Sequence, residues 1–391
     1  MLIRAHRRLQ VKQLRLYWVP MKRMITACIG GLAVCLAAAL TATRPSAEAD
    51  PATAWNRKAA AAYLDQRSTW WSTWPNAQRD HGTFCVSCHT ALPYALARPA
   101  LRQSLGETGP SASEAALLAN VTKRVTMWRD VEPFYPDQTR GIPKTSESRA
   151  TEAILNAVIL SRRDAATGAL SDEGRRALDN MWALQMKTGE QTGAWAWLQF
   201  HNEPWEGDSS AFHGATLAAI AVHTAPGGYA ASPQIQDRVR ALHEYLRKLN
   251  EKQPLLSRAM LLWASTTAPA LLAREPQQAI VDALLGAQQE DGGWSTATLG
   301  AWKRNDGTPL DTRSDGYATG LVTLALESVA GMRAQPPVTR GLAWLVSHQD
   351  PATGVWLAVS LNKQRDPASD AGRFMSDAAT AYAVLALTQA R

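Results

Sequence analysis

The sequence predicts an all-α protein built as two concentric rings of helices, an α/α barrel. Three observations carry that expectation. Helical stretches of two kinds alternate, one with a single dry stripe and one apolar on every face. A short pattern ending in Gly-x-Trp recurs between them. Strand signals are sparse.

The elements follow in chain order. Residues 1–49 read as a leader and not as part of the fold. Arg4, Arg7, Arg8, Lys12, Arg15, Lys22 and Arg23 precede an apolar run from Ile25 to Leu40, and Ala47-Glu48-Ala49 stands before Asp50. That is the layout of a secretory signal peptide cleaved near Ala49/Asp50. The run is short for a membrane span, so membrane contact is expected only through an uncleaved leader. The chain has 41 basic and 34 acidic residues, a net charge of +7. Taking the leader's eight basic residues and one acid away leaves 33 of each. The excess charge belongs to the leader, and no nucleic-acid partner is expected.

Residues 50–391 are expected to form one helical domain. Its only cysteines are Cys85 and Cys88, within Cys85-Val86-Ser87-Cys88-His89. Cys-x-x-Cys-His is the pattern that attaches haem covalently. Two thiols three positions apart reach the two vinyl groups of one porphyrin, and the adjacent histidine supplies an axial imidazole. One covalent haem c is therefore expected, on Cys85 and Cys88, with His89 as proximal iron ligand. In an oxidising compartment a disulfide is the alternative fate of the pair. Zinc fits less well, because a second ligand pair is missing. For the distal position Met127 is the residue proposed, with His201 and His213 as other choices and an open position as another; the competing reading of Met127 is packing beside Trp128. His81 stands too close to Cys85 in sequence to cross to the far face.

Downstream the helices separate by periodicity. Ile235, Val239, Leu242, Leu246 and Leu249 step by four and three, with Arg238, Arg240, Glu244, Arg247 and Lys248 between them, which marks an outer amphipathic helix. Residues 378–387 are apolar all round, which marks a buried one. Five hairpins pair as 55–72 with 147–163, 173–186 with 209–223, 235–250 with 255–273, 277–289 with 315–331, and 338–349 with 376–390. The first is interrupted by 75–145, expected to be an inserted haem-binding segment, whose helix at 114–128 could serve a sixth hairpin.

The run Arg340-Gly341-x-x-Trp344-Leu345-x-x-x-Gln349-x-x-x-x-Gly354-x-Trp356 resembles the QW repeat of squalene–hopene cyclases and related terpene cyclases. Weaker copies run from Leu284 through Gln289 to Trp294 and from Arg176 through Gln185 to Trp195. The resemblance implies the α/α toroid of that superfamily, here a double ring of about five to six helical hairpins. It also implies that Gln349 and Trp356 tie outer helices together. The segment Phe84 to Arg102 looks like a c-type cytochrome attachment site grafted onto that toroid. Family chemistry carries over less well than the fold. The Asp-x-Asp-Asp of protonating cyclases is absent, no repeat holds the cysteine of the zinc prenyltransferases, and Cys-x-Glu-Gln of thioester proteins is missing.

Four residues stand as weak catalytic candidates. Asp208, Asp315 and Asp377 recur just before inner helices, where N-capping is the plainer account; His213 lies near the start of another, as does Glu152. Glu206-Gly207-Asp208 suggests an acidic loop at the barrel mouth. The function expected is that of an exported, periplasmic haem protein in electron transfer or haem-assisted oxidation, meeting a redox partner protein. The alternatives are a divergent isoprenoid cyclase or isomerase with an apolar ligand in the cavity, and a non-catalytic toroid that binds a lipid or a partner.

Overall fold

The computed structural model describes residues 54–137, 141 and 143–389; the expected leader lies outside them. Among the described residues the protein is all-helical. Its helices are α1 (Arg57–Thr73), α2 (Ala91–Leu105), α3 (Ala112–Thr126), α4 (Thr145–Thr167), α5 (Asp172–Ala183), α6 (Ser210–Thr224), α7 (Gln236–Leu249), α8 (Leu255–Thr267), α9 (Arg274–Gly286), α10 (Gly316–Glu327), α11 (Pro336–Ser347) and α12 (Phe374–Gln389). The strands β1 (Gln78–Arg79) and β2 (Thr83–Phe84) pair antiparallel, Gln78 opposite Phe84 and Arg79 opposite Thr83. No described helix is long and apolar enough to cross a membrane.

The two helix kinds are present as expected. Every residue of α10 is buried, as is nearly all of α12, α6 and the middle of α4. By contrast α7 buries Val239, Leu242, His243, Tyr245 and Leu246, and α9 only Ile280, Val281 and Leu284. The apolar helices pack on one another. α4 lies against α6, α6 against α8, α8 against α10, α10 against α12 and α12 against α2, and α2 touches α4. Glycine permits the tightest of these contacts. A Cβ on Gly320 of α10 would stand 2.6 Å from the Ala383 amide nitrogen of α12, so only hydrogen fits there.

The recurring Gln and Gly-x-Trp have one structural job, carried out three times. Trp195, Trp294 and Trp356 are fully buried, and each indole Nε1–H donates to a carbonyl at the end of the preceding one-sided helix: Met181 at 2.6 Å, Leu284 at 2.7 Å and Leu345 at 2.7 Å. The glutamine then bridges two helices. Gln185 Nε2 donates to Gly193 O and Arg238 O, Gln288 to Gly292 O and Pro337 O, and Gln349 to Gly354 O and Asn56 O. Each thus joins one of the one-sided helices to the start of another: α5 to α7, α9 to α11, and α11 to α1. In the second copy the bridging residue is Gln288, one position before the Gln289 expected.

The hairpin pairings differ from expectation: α5, α7, α9 and α11 each pack chiefly on the apolar helix before them (α4, α6, α8 and α10) and little on the one after. α1 packs on α2, α3 and α12, while α4 packs chiefly on α6 and α5. The stretch 75–145 supplies α2 and α3, both packed into the helical body. Segment 91–105 hides its helix behind two prolines. Pro93 falls in the first turn, where a missing N–H costs nothing, and Pro99 lies inside.

Candidate functional site

Cys85-Val86-Ser87-Cys88-His89 runs from the end of β2 to the start of α2. α3 holds the approach. Asn120 brackets Phe84, accepting from its N–H at 2.8 Å and donating to its carbonyl at 3.0 Å. Arg124, fully buried and paired with Glu152, donates to the Thr83 hydroxyl at 2.7 Å. Ser87 ends the loop, its Oγ accepting from the N–H groups of Thr90 and Ala91 as a helix cap does.

Both cysteines are buried, unbridged thiols. Cys85 donates its N–H to Ala77 O at 2.8 Å and accepts the Trp71 indole at its carbonyl at 2.6 Å. Burial pushes the Cys85 thiol up to about 12 and Cys88 well above its ordinary value. Glu206, itself raised to about 7 by burial, adds to the rise at both.

His89 is half-buried in an aromatic enclosure. Phe374 stacks on it at 3.9 Å between centroids, Trp71 meets it edge-on at 4.9 Å, and Trp205 stands at 6.0 Å. These three come from α12, α1 and the loop before α6. Trp205 is held in turn by Tyr317, whose hydroxyl accepts its indole N–H at 3.1 Å.

The tautomer of His89 follows from its neighbours. Nδ1 lies 2.8 Å from the Thr90 hydroxyl, and that hydroxyl donates to Asp377 Oδ2 at 2.7 Å. Thr90 has one proton to give. Because it goes to Asp377, Thr90 Oγ1 accepts from His89, and the imidazole proton sits on Nδ1. Nε2 therefore carries the lone pair, and it makes no hydrogen bond among the described residues. Enclosure, with Arg67 and Arg365 nearby, pushes the His89 pKa down to about 3, so the ring stays neutral.

Asp377 is the hub of this arrangement. It accepts from Tyr63 OH at 2.8 Å, from Arg67 Nε at 2.8 Å and Nη2 at 3.0 Å, and from Thr90. Arg67 and Asp377 are both 2% exposed. Arg67 also reaches Asp370 and lies over the Trp70 ring. A cavity of about 420 Å³ is walled by Arg304, Asp311, Val359, Arg365 and Gly372 among others, and none of the cluster residues lines it.

The remaining candidates lie apart. Asp315 caps α10, accepting from the N–H groups of Tyr317 and Ala318 and from Thr296, as N-capping predicts. Asp208 is exposed and takes the Gln199 amide; the cap position of α6 falls on Ser209, so Asp208 is not a cap. Asp377 is not a cap either, since it lies in the first turn of α12. His213 is buried on α6 beside Trp197, its Nε2 unpartnered and its pKa pushed down to about 4. Met127 ends α3 and is half-buried; the rings around His89 are Trp71, Trp205 and Phe374. His81 and His201 are exposed, each beside an aspartate. Sequence reasoning overlooked Thr90, Arg67, Tyr63 and the three aromatic walls. Thr90 alone had a signal, its place directly after His89. No protein-family model matches the chain, and no curated protein matches it.

Proposed function

We propose that the chain is an exported c-type haem protein on an α/α toroid, acting in electron transfer or haem-assisted oxidation. The observation that carries the reading is the state of His89: Nδ1 engaged by Thr90, Nε2 bearing a free lone pair, next to two unbridged thiols in a Cys-x-x-Cys-His run. The donor set fits the group. An axial imidazole needs Nε2 free and its ring held, and Phe374 and Trp71 hold the ring by its faces and edge. The thiols fit too. Burial that disfavours a thiolate suits an uncharged thioether; a redox-active dithiol or a zinc site needs the thiolate. Cys85 and Cys88 would hold the porphyrin and His89 the iron. A haem so held supplies one-electron chemistry. The chain's part is to keep His89 neutral and oriented and to exclude water with Trp71, Trp205 and Phe374.

The toroid reading rests on two sets of contacts. The apolar helices α2, α4, α6, α8, α10 and α12 are neighbours in that order and return to α2. Glutamine bridges link outer helices, the last joining α11 back to α1. This supports a closed double ring of six helix pairs. A cyclase or lipid-binding role needs a roomy apolar cavity, and between the apolar helices the buried Tyr317 instead packs on Trp205 and Tyr382, at 5.4 and 5.6 Å between centroids. That favours the toroid as a scaffold.

The test is a pyridine-haemochrome spectrum of the protein exported alongside a cytochrome c maturation system. A c-type band that survives denaturation and washing is expected, and Cys85→Ala with Cys88→Ala should abolish it. Colourless wild-type protein with a Cys85–Cys88 disulfide would overturn the reading.

A further inference from the structure

The hydrogen bonds behind His89 form a line: imidazole Nδ1–H to the Thr90 hydroxyl at 2.8 Å, and the hydroxyl to Asp377 at 2.7 Å. The line ends on a carboxylate fixed by Arg67 and Tyr63 in a nearly dry setting. Hydrogen bonds in series polarise one another, and more so where water is excluded. A ring N–H that donates toward a carboxylate makes the opposite nitrogen a stronger donor to a metal. Thr90 transmits this effect across one residue, because His89-Thr90 directly precedes α2 while Asp377 arrives from α12.

We propose that Thr90 and Asp377 are positioning residues that set the electron-donating strength of His89 and thereby hold the reduction potential of the bound haem low. The inference rests on the haem reading and deepens it. A more basic imidazole stabilises the electron-poor ferric iron, so interrupting the line should raise the potential. Phe374 and Trp71 keep the ring in place whether or not the hydroxyl is there. The effect is thus separable from loss of the ligand.

The experiment uses the full chain carrying covalent haem. Midpoint potentials are measured by redox titration for wild type, Thr90→Val and Thr90→Ser, with thermal unfolding as a control. Valine keeps the shape and removes the hydroxyl; serine keeps the hydroxyl. The expected result is a raised potential in Thr90→Val and a wild-type value in Thr90→Ser. A Thr90→Val potential equal to wild type, in pigmented folded protein, overturns this inference and leaves the haem reading standing. Wild-type protein without covalent haem overturns both. Nitrogen NMR of His89 in haem-free wild type gives a second reading that needs no variant to fold. A proton on Nδ1 supports the line, and a proton on Nε2 overturns it.

Discussion

Glu327 is buried at the end of α10, 4% exposed, with neither carboxyl oxygen hydrogen-bonded. Burial raises its pKa from 4.5 to about 8, opposed weakly by Arg333. The folded protein therefore keeps a proton that the unfolded chain gives up. Stability linked to this group is intact below about pH 4.5 and is lost as pH rises through about 8. Glu327→Gln should match the wild-type melting temperature near the low end of that window and exceed it by a few degrees above the high end. A difference that does not change with pH would count against the linkage. Residues of this kind are hard to read from sequence. Asp208, Asp315 and Asp377 each precede an apolar helical stretch, and the spacing gives all three the same expected role. In the fold one is a solvated loop side chain, one a cap, and one the carboxylate behind His89. What separates them is which distant side chain arrives, Arg67 in the last case, and that is a property of tertiary packing. Cys85, Cys88 and His89 stand out in the sequence because they form one short run, and the fold keeps that run as a single loop between β2 and α2.

At the scale of elements, the Gly-x-Trp turns show why the repeat was readable. Gly193, Gly292 and Gly354 all take positive φ, at 93°, 89° and 77°, a region that side chains disfavour. A Cβ on Gly354 would also come within 2.2 Å of the α1 backbone at Ala59. Backbone conformation, close approach and indole hydrogen bond all demand particular residues, so the pattern recurs in the sequence. The glutamine is demanded by what it satisfies. Gln349 accepts the Asn56 N–H and donates to the Asn56 and Gly354 carbonyls. Gln349→Ala leaves these groups without partners and should lower stability by ~2 kcal/mol, measured by denaturant unfolding. Gln289→Ala, one residue from the bridging Gln288 of the second copy, should cost clearly less, because it gives up one exposed bond to Thr312 and one to Ser314. α2 was the element that sequence reasoning did not count among the core helices. Pro93 and Pro99 mask its period, and its burial against α12 comes from the far end of the chain.

At the scale of the molecule, the first and last of the described helices are joined by buried charge. Arg67 of α1 and Asp377 of α12 meet in near-complete burial. Removing one partner strands the other, so Arg67→Ala should destabilise by about 3–5 kcal/mol, and the double variant with Asp377→Ala should lose less than the sum. Additive losses in that cycle would mean the two are not coupled. The same meeting point has a consequence in time. Thr90 and Asp377 are 287 positions apart. During synthesis the Cys-x-x-Cys-His segment emerges long before α12, and until α12 docks nothing from it covers His89. Any enzyme that must reach the two thiols has that interval in which to work. The docking of α12 then places Phe374 on the imidazole and the carboxylate behind Thr90. The last helix of the described fold thus acts as a latch, shutting over the Cys-x-x-Cys-His loop only once the whole chain is made.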